Sequence, residues 1–341
     1  MNIRRPYWLA GMLLTAIYTF PQHPPNTHVI KSGPETVEWG YFDASARPIV
    51  TIQSGDIVEL DTPLAGSKEM QSMGMPEELI RPEMRALEAV KDRSQSYGNI
   101  LVGPVAVENA EPGDVLEVRI LEIRVADNYA VNVFHPGGGT LPDEFPYPRA
   151  RAVPLDRDRN VAVFAPGVEI PLAPFFGTMG VAPARMVGRI GDGPPGYYGG
   201  NLDNKDLVAG TTLYIPVQCK QALFSVGDGH AGQGGGEVDG TAIEAKLWGK
   251  FQFIVRKDMK LKWPRAETPE YYMTMGFDPD LNKAVQLAVH EMVDYLMKEH
   301  HLSADEAYML CSMAVDLRVT QVVDGVKGVH ALLPKKIFVQ R

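Results

Sequence analysis

The stretch that decides the fold lies past the middle of the chain and reads Leu213-Tyr-Ile-Pro-Val217, then Ala222-Leu-Phe-Ser-Val226, then a glycine-rich run from Gly227 to Gly240. The two apolar runs are short and rich in β-branched and aromatic residues, which predicts two neighbouring strands. The glycines that follow indicate a loop. Residues 241–255 then return to a strand pattern, so this part of the chain is built from short strands joined by turns.

The first half of the chain shows the same organisation. Residues 102–107 and 115–125 are predicted strands, and Glu111-Pro-Gly-Asp114 between them is a strong turn signal. Residues 77–93 are a helix candidate, in which Pro82 is tolerated only near a break because proline has no backbone N–H to donate. Residues 127–147 are predicted to be loop-rich.

Helical signals are clear only near the C-terminus. Residues 281–299 carry apolar side chains at helical spacing, among them Ala284, Ala288 and Met292. Ser303-Ala-Asp-Glu306 is a capping box that opens a second helix, which runs to residue 314. Residues 318–323 are a closing strand.

These elements predict an α+β fold that is predominantly β. The β core is of sandwich or barrel type, and a C-terminal helical pair accompanies it. We assign residues 23–341 to one domain, with a β-rich core and a C-terminal α/β part from about residue 270.

The N-terminal residues 1–22 resemble a signal peptide. Arg4 and Arg5 precede an apolar stretch, Tyr7 to Phe20, which is too short to span a bilayer but suits the apolar core of an export signal. This favours a secreted or periplasmic protein. A packed N-terminal arm of a cytoplasmic protein is the alternative, because no clean cleavage site follows. No other stretch is apolar for long enough to predict a stable membrane span.

Composition narrows the class of protein. The formal net charge is −9 and dispersed along the chain, so nucleic acid is not expected as a partner. Cys219 and Cys311 lack CxxC spacing and are predicted to be two buried free thiols, with a disulfide as the alternative in an exported protein. Cys219 has no acid or base close to it in sequence, which argues against a nucleophilic thiol.

The densest group of polar residues lies beside these central strands. Asp228 and His230 are two residues apart, which places both side chains on one face of an extended segment. A carboxylate and an imidazole are suitable ligands for a divalent ion such as Zn²⁺. Asp203, in a neighbouring loop, is the third candidate ligand, and an open position remains for water.

Hydrolysis at a carbonyl group needs a nucleophile, polarisation of the carbonyl and a proton for the leaving group. A metal ion supplies the first two, and a carboxylate can carry the proton. Glu237 is the first candidate for this base and Asp206 the second. The glycines of both loops, Gly200 and Gly229 among them, let backbone N–H groups approach a substrate closely.

Other interpretations of the same residues stay open. A loop rich in glycine and aspartate is often only a turn, and Asp203 and Asp206 also suit Asx turns. Calcium bound by carboxylates and carbonyl oxygens is an alternative to zinc. Four further histidines are interpreted as structural: His135, His290, His300 and His301. The chain contains no Gly-x-Ser-x-Gly, His-Glu-x-x-His, Walker A or dinucleotide-binding motif.

Several ordered blocks resemble the acetamidase/formamidase family over about residues 49–338. The most specific block is Ala222-Leu-Phe-Ser-Val-Gly-Asp-Gly-His-Ala231 with residues 234–244. A central block, Gly196-Tyr-Tyr-Gly-Gly-Asn-Leu-Asp203, and residues 210–217 also match. Further blocks are residues 107–118, 275–278, 305–310 and 316–324.

The resemblance implies a homo-oligomer that hydrolyses short aliphatic amides such as formamide and acetamide to carboxylate and ammonia. It also implies that Asp203, Asp228 and His230 hold the metal ion, and it aligns Glu237 with the family's glutamate. The predicted substrate-binding residues are Tyr198, Gly200, Asn201 and Gly229.

The chain departs from the family at Asn99, where a histidine is common, and at His135-Pro-Gly137. These departures concern the substrate more than the fold, so a larger amide is an alternative, with Tyr197 and Tyr198 shaping its pocket. A non-catalytic metal- or ligand-binding β protein, and a hydrolase of another C–N or ester bond, are the alternative functions.

Overall fold

A computed structural model describes residues 24–64, 66–89 and 98–339. The predicted signal peptide, residues 1–22, lies outside the described residues. The helices are α1 (Ser67–Ser72), α2 (Pro82–Ala89), α3 (Leu281–Glu299) and α4 (Ala304–Ala314). The strands are β1 (Thr27–Ile30), β2 (Val37–Trp39), β3 (Tyr41–Asp43), β4 (Val50–Ile52), β5 (Ile57–Thr62), β6 (Ile100–Val107), β7 (Val115–Val125), β8 (Tyr129–Phe134), β9 (Arg149–Asp156), β10 (Val161–Ala165), β11 (Val168–Pro171), β12 (Phe175–Val181), β13 (Arg189–Gly191), β14 (Gly199–Asn201), β15 (Thr212–Pro216), β16 (Phe224–His230), β17 (Leu247–Arg256), β18 (Arg265–Glu267), β19 (Tyr271–Asp278), β20 (Asp316–Val319) and β21 (Lys327–Pro334).

The largest sheet has nine strands in the order β1-β5-β17-β7-β15-β18-β19-β21-β20. Its longest pair is antiparallel, with Phe251 of β17 opposite Ile120 of β7 and Phe253 opposite Val118. Along most of β17, fully buried residues alternate with partly buried ones, as expected for a strand that covers a core with one face. This sheet therefore forms one wall of the hydrophobic core.

A second sheet forms the opposite wall, in the order β14-β12-β16-β6-β2 with β4 alongside β6. All residues of β6 and β12 are buried, so both faces of these strands are covered. The two sheets meet through aromatic rings. Phe176 lies 5.3 Å from Phe251, and Phe224 lies 5.1 Å from Phe253, between ring centroids. The predicted sandwich-type β core is confirmed.

The C-terminal helical pair is also confirmed. Helix α3 has the predicted bounds and is capped by Asp280, whose side chain accepts the Asn282 N–H. The capping box of Ser303 and Glu306 opens α4. The helices pack on β19 and β21, which belong to the same nine-stranded sheet as β17. No helix among the described residues combines the length and apolar character that crossing a bilayer requires.

Several boundaries differ from the prediction. Residues 77–93 do not form one helix: Glu77–Leu79 is a 3₁₀ turn, and α2 begins at Pro82, where the first helical turn needs no backbone donor. Strand β16 continues through the first glycines to His230 instead of ending at Val226. The closing strand ends at Val319, and the residues after it form a turn into β21.

Residues 127–147, predicted to be loop-rich, contain β8. This strand pairs with β9 at the edge of a four-stranded sheet, β11-β10-β9-β8. The buried faces of Tyr129, Val131 and Val133 pack against α1 and α2 in a separate apolar cluster. The sequence prediction missed this strand because glycines and prolines dominate the residues that follow it.

The aromatic contact between the sheets yields a stability prediction. Phe251 is fully buried and contacts Phe176, Phe224 and Phe253. We expect Phe251→Ala to lower the free energy of unfolding by about 3–5 kcal/mol, because burial is lost and a cavity remains. Chemical denaturation measures this change. Phe164→Ala, at a side chain 39% exposed, is the control and should cost less than about 1 kcal/mol; equal losses would contradict the prediction.

Candidate active site

Six ionisable side chains from different segments converge at one end of the second sheet. His230 and Asp228 lie on β16, and Asp203 follows β14. The other three are Glu237 and Glu244, between β16 and β17, and Asp324, between β20 and β21. Their possible ligand atoms form overlapping groups within 4.8 Å of one another. We call these six residues the acidic cluster; their groups are Asp203–Asp228–His230, His230–Glu237–Glu244 and Asp203–Glu237–Asp324.

The order of strands explains how the cluster assembles. Strand β12 lies between β14 and β16, and Gly177 is the residue of β12 over which the neighbouring side chains meet. A Cβ atom at Gly177 would lie 2.3 Å from Asp228 Oδ2 and 2.6 Å from Asp203 Oδ1. The Gly177 carbonyl also accepts the Asp203 N–H at 3.1 Å. The absent side chain therefore leaves the space in which the predicted ligands gather.

The backbone at the cluster is unusual. Asp203, Asp228 and Glu237 have φ angles of 43°, 58° and 46°, in the left-handed region that costs energy for residues with a side chain. Asp228 therefore departs from regular extended backbone within β16, although it and His230 still reach the same cluster. Strained residues persist where the surrounding structure holds them, and they concentrate at functional sites.

His230 is oriented by a glutamine. Its Nδ1 lies 3.0 Å from Gln233 Oε1, while Gln233 Nε2 donates to the carbonyls of Asp203 and Thr320. Because the amide nitrogen of Gln233 is used for donation, its oxygen accepts from His230 Nδ1–H, so the Nε2 atom faces the carboxylates of the cluster. Nε2 lies 3.2 Å from Asp228 Oδ1 and 3.4 Å from Glu244 Oε1.

Asn201 holds two of the carboxylates. Its amide nitrogen donates to Asp203 Oδ2 at 2.8 Å and to Asp324 Oδ2 at 3.0 Å. Its oxygen accepts from Thr178 Oγ1 at 2.5 Å and from Asn99 Nδ2 at 3.3 Å. Both ends of the amide are engaged within the protein, so Asn201 positions the acidic cluster more directly than it offers a contact to a substrate.

The electrostatics of the cluster suit a bound cation. Burial and the neighbouring carboxylates raise the pKa of Asp203 and Glu237 well above ordinary values, and they raise that of Asp324 to about 6. Burial alone would lower the pKa of His230, but Glu244 and Asp228 outweigh it and raise that pKa. Asp203 Oδ1 and His230 Nε2 are buried without hydrogen-bond partners among the described residues. The cluster can therefore hold a metal ion.

A cavity of about 870 Å³ opens above the cluster. Among the residues predicted to act in the site, Asp228, Gly229, Glu237 and Asn201 line it. His135, interpreted from sequence as structural, also lines the cavity, whereas His300 stacks on Phe338 with ring centroids 3.7 Å apart.

Three predicted site residues lie elsewhere. Asp206 accepts from Arg318 Nη1 at 3.1 Å and lies 2.7 Å from His330 Nε2, and it belongs to none of the ligand groups found among the described residues. Tyr198 is buried, and its hydroxyl donates to the Pro194 carbonyl at 2.6 Å. Gly200 packs against the Tyr198 ring.

Glu244 and Asp324 are the members of the cluster that sequence reasoning missed. Each is an acidic residue in a mainly apolar run, Ala242-Ile-Glu-Ala245 and Val322-Val-Asp324. A carboxylate in such a run is a usable signal, because a charged residue is rarely buried without a partner. Cys219 and Cys311 are free and buried as predicted, and burial raises the pKa of the Cys219 thiol to about 11, which disfavours a nucleophilic role.

Comparison with known proteins identifies the class. The sequence profile of the Acetamidase/Formamidase family matches residues 48–190 and 192–340. The chain therefore belongs to the acetamidase/formamidase family, and it is an amidohydrolase as the sequence predicts.

Individual relatives agree with this assignment. The formamidase of Methylophilus methylotrophus is 26% identical over 324 residues, covering 73% of this chain and 79% of the relative. The acetamidase of Mycolicibacterium smegmatis is 31% identical over 208 residues, covering 44% of this chain and 51% of the relative. The crystal structure of an acetamidase from Bacillus halodurans superposes with a TM-score of 0.79 at 31% identity, covering 91% of this chain and 98% of that one.

Gly177 provides a test of the cluster's geometry. We expect Gly177→Ala to destabilise the protein by about 1–3 kcal/mol, because the new Cβ overlaps two carboxylates that the surrounding strands hold in place. Thermal unfolding measures the loss. Gly232→Ala is the matched control, since its Cβ would meet no atom closer than 3.6 Å. If Gly177→Ala is as stable as the wild type, the strands and carboxylates shift at little cost to accommodate the Cβ atom, and the prediction is wrong.

Asp192, fully buried beside the cavity, yields a prediction for pH dependence. Burial raises its pKa to about 7, and its Oδ2 accepts the Asn99 N–H at 2.9 Å. An unfolded aspartate titrates near pH 3.9, so the folded protein retains a proton that the unfolded chain has lost. This contribution to stability is fully present below about pH 4 and is lost as the pH rises through about 7.

We therefore expect Asp192→Asn to flatten the fall in stability between pH 4 and 7, by up to about 1.4 kcal/mol per pH unit. Denaturant unfolding of chelator-treated protein at several pH values measures the slope. Asp143→Asn, at an exposed residue, should keep the wild-type slope. An unchanged slope in Asp192→Asn would show that this carboxyl is not protonated in the folded state.

Proposed function

We propose that this amidohydrolase converts short aliphatic amides, of the size of formamide and acetamide, to carboxylate and ammonia with a metal-activated water. The observation that carries the proposal is the convergence of His230 and five carboxylates beneath a cavity of about 870 Å³. The names of the relatives, formamidase and acetamidase, support the choice of substrate.

We assign the metal ligands to Asp203, Asp228 and His230. An imidazole nitrogen with carboxylate oxygens is a zinc donor set, whereas calcium is the alternative because further carboxylates lie close by. When bound, a divalent ion polarises the amide carbonyl and lowers the pKa of water. Gln233 and Asn201 hold these ligands in place through the hydrogen bonds described above.

Glu237 is the proposed general base. It lines the cavity, and burial raises its pKa, which makes its carboxylate a stronger proton acceptor than an exposed glutamate. Its carboxylate takes a proton from the attacking water and delivers it to the amide nitrogen as the C–N bond breaks. The amide and one water thus become a carboxylic acid and ammonia, which ionise to carboxylate and ammonium. Asp206 has no comparable position, because Arg318 and His330 engage its carboxylate.

Ammonia release tests the proposal. We expect the protein to release ammonia from formamide, acetamide and propionamide, and we expect chelation to abolish this and Zn²⁺ to restore it. Glu237→Gln should lower kcat by about 10²–10⁴-fold while the protein stays folded, since proton transfer is lost. Glu299→Gln, at an exposed position of α3, is the matched control and should retain activity.

Asp228→Ala and His230→Ala should also lose turnover, together with bound metal. Full turnover in these two variants and in Glu237→Gln would refute the site assignment. Folded, metal-loaded protein that leaves every amide of a broad panel intact would refute amide hydrolysis. Activity on esters or cyclic amides would then indicate a hydrolase of another bond, and its absence a binding protein.

A further inference from the structure

The cavity is much larger than a short amide requires. It encloses about 870 Å³ above the acidic cluster. Cavities of about 300–1,000 Å³ typically hold ligands of drug size, whereas one water occupies about 30 Å³ in the liquid. Formamide and acetamide are only a few times larger than water, so either one fills a small part of this space.

The chemistry of the cavity is divided between its base and one wall. The base carries Asp228, Glu237, Glu244 and Asp324. One wall carries the apolar side chains Leu64, Met70, Met73 and Val133. Two charged residues of the adjoining helices, Lys68 of α1 and Glu88 of α2, also line the cavity. We call Leu64, Met70, Met73 and Val133 the apolar wall.

The apolar wall is a built surface. Leu64, Met70 and Val133 are at least nine-tenths buried, and they belong to the apolar cluster that joins α1, α2 and β8. Methionine side chains adapt to ligands of varied shape, and two of the four wall residues are methionines. A polar amide alone would leave this wall in contact with water, whereas an apolar group would cover it.

We infer that the substrates this site prefers are primary amides with an extended apolar acyl group, either an alkyl chain or an aryl group on a short alkyl spacer. The amide group lies at the acidic cluster, and the acyl group lies against the apolar wall. The inference rests on the proposed function, because release of ammonia requires an unsubstituted nitrogen and places the apolar group on the acyl side of the bond.

A series of unbranched primary amides tests the inference. Each methylene that the wall removes from water should raise kcat/KM by about fourfold. From acetamide to hexanamide the expected gain is on the order of 100-fold. 3-Phenylpropionamide should also exceed acetamide. A kcat/KM that is flat or falls with chain length overturns the inference while leaving the proposed function intact.

Two isomers test whether the apolar group of the substrate belongs on the acyl side or on the nitrogen side of the amide bond. Hexanamide and N-butylacetamide have the same atoms, but only hexanamide carries its long apolar group on the acyl side. We expect hexanamide to be the better substrate by at least about tenfold. A preference for N-butylacetamide overturns the assignment of the apolar group to the acyl side.

Variants of Met73 test whether the apolar wall contacts the acyl group of the substrate. Met73→Trp fills the space beside the wall, and Met73→Ala removes apolar contact. Each variant should therefore lower the ratio of kcat/KM for hexanamide to kcat/KM for acetamide. We expect Met73→Trp to lower this ratio by about tenfold or more. Met186→Trp, at a residue 93% exposed, is the matched control and should keep the wild-type ratio. Because the ratio is measured within one protein, a loss of total activity does not affect it.

A neighbouring cavity is an alternative binding site for the apolar acyl group. It encloses about 190 Å³ and is lined by Phe134, Leu141, Phe145 and Val238. Leu141→Trp would fill it. A ratio that falls in Leu141→Trp but not in the Met73 variants overturns the assignment to the apolar wall.

Binding measurements distinguish a wrong inference about the acyl group from a wrong proposal about the reaction. If the metal-loaded protein hydrolyses no amide, calorimetric titration with hexanamide and acetamide still decides the inference. Tighter binding of hexanamide, weakened in Met73→Trp and not in Met186→Trp, supports the inference although the proposed reaction fails. Equal affinities, or no binding of either amide, overturn it.

Discussion

Buried like charge is the constraint on which the rest of this structure depends. Five carboxylates surround the single imidazole of His230, within a few ångströms and largely away from water. Repulsion between charges grows as the local dielectric constant falls, so such a group is destabilising unless protons or a cation neutralise it. Burial, together with this repulsion, raises the pKa values of Asp203 and Glu237.

The scaffold tolerates this cost because it is rigid where the charges meet. Strand β12 lies between the two strands that present Asp203 and Asp228, and the sandwich core fixes all three strands. Gly177 supplies the space, while Asn201 and Gln233 tie separate segments together with hydrogen bonds. The left-handed backbone at Asp203, Asp228 and Glu237 persists for the same reason.

Chemistry and selectivity come from different parts of the chain. The acidic cluster is held by the second sheet and the segments beside it, whereas the apolar wall comes from α1, β8 and the residues on either side of α1. The two regions meet at β8, where Val131 and Glu244 exchange two backbone hydrogen bonds of 2.8 Å. A change in β8 can therefore reach the cluster, whereas Met73, which follows α1, lies outside this bridge.

The sequence by itself determined the features that depend on local signals. Residues 281–299, the capping box at Ser303 and the strand at residues 115–125 were predicted with their observed bounds, because helical periodicity, caps and β-branched runs act over a few residues. Asp203, Asp228 and His230 were predicted to meet from their spacing and from the family resemblance together, and their ligand atoms lie within 4.8 Å of one another.

Only the tertiary structure decided which residues distant in sequence belong to the acidic cluster and which lie outside it. Glu244 and Asp324 join the cluster because the order of the strands brings their segments beside β16. Asp206 is diverted because Arg318 and His330, more than a hundred residues later, reach its carboxylate. The sheet order that sets these neighbours follows from how whole strands bury their faces, and no short stretch of sequence encodes it.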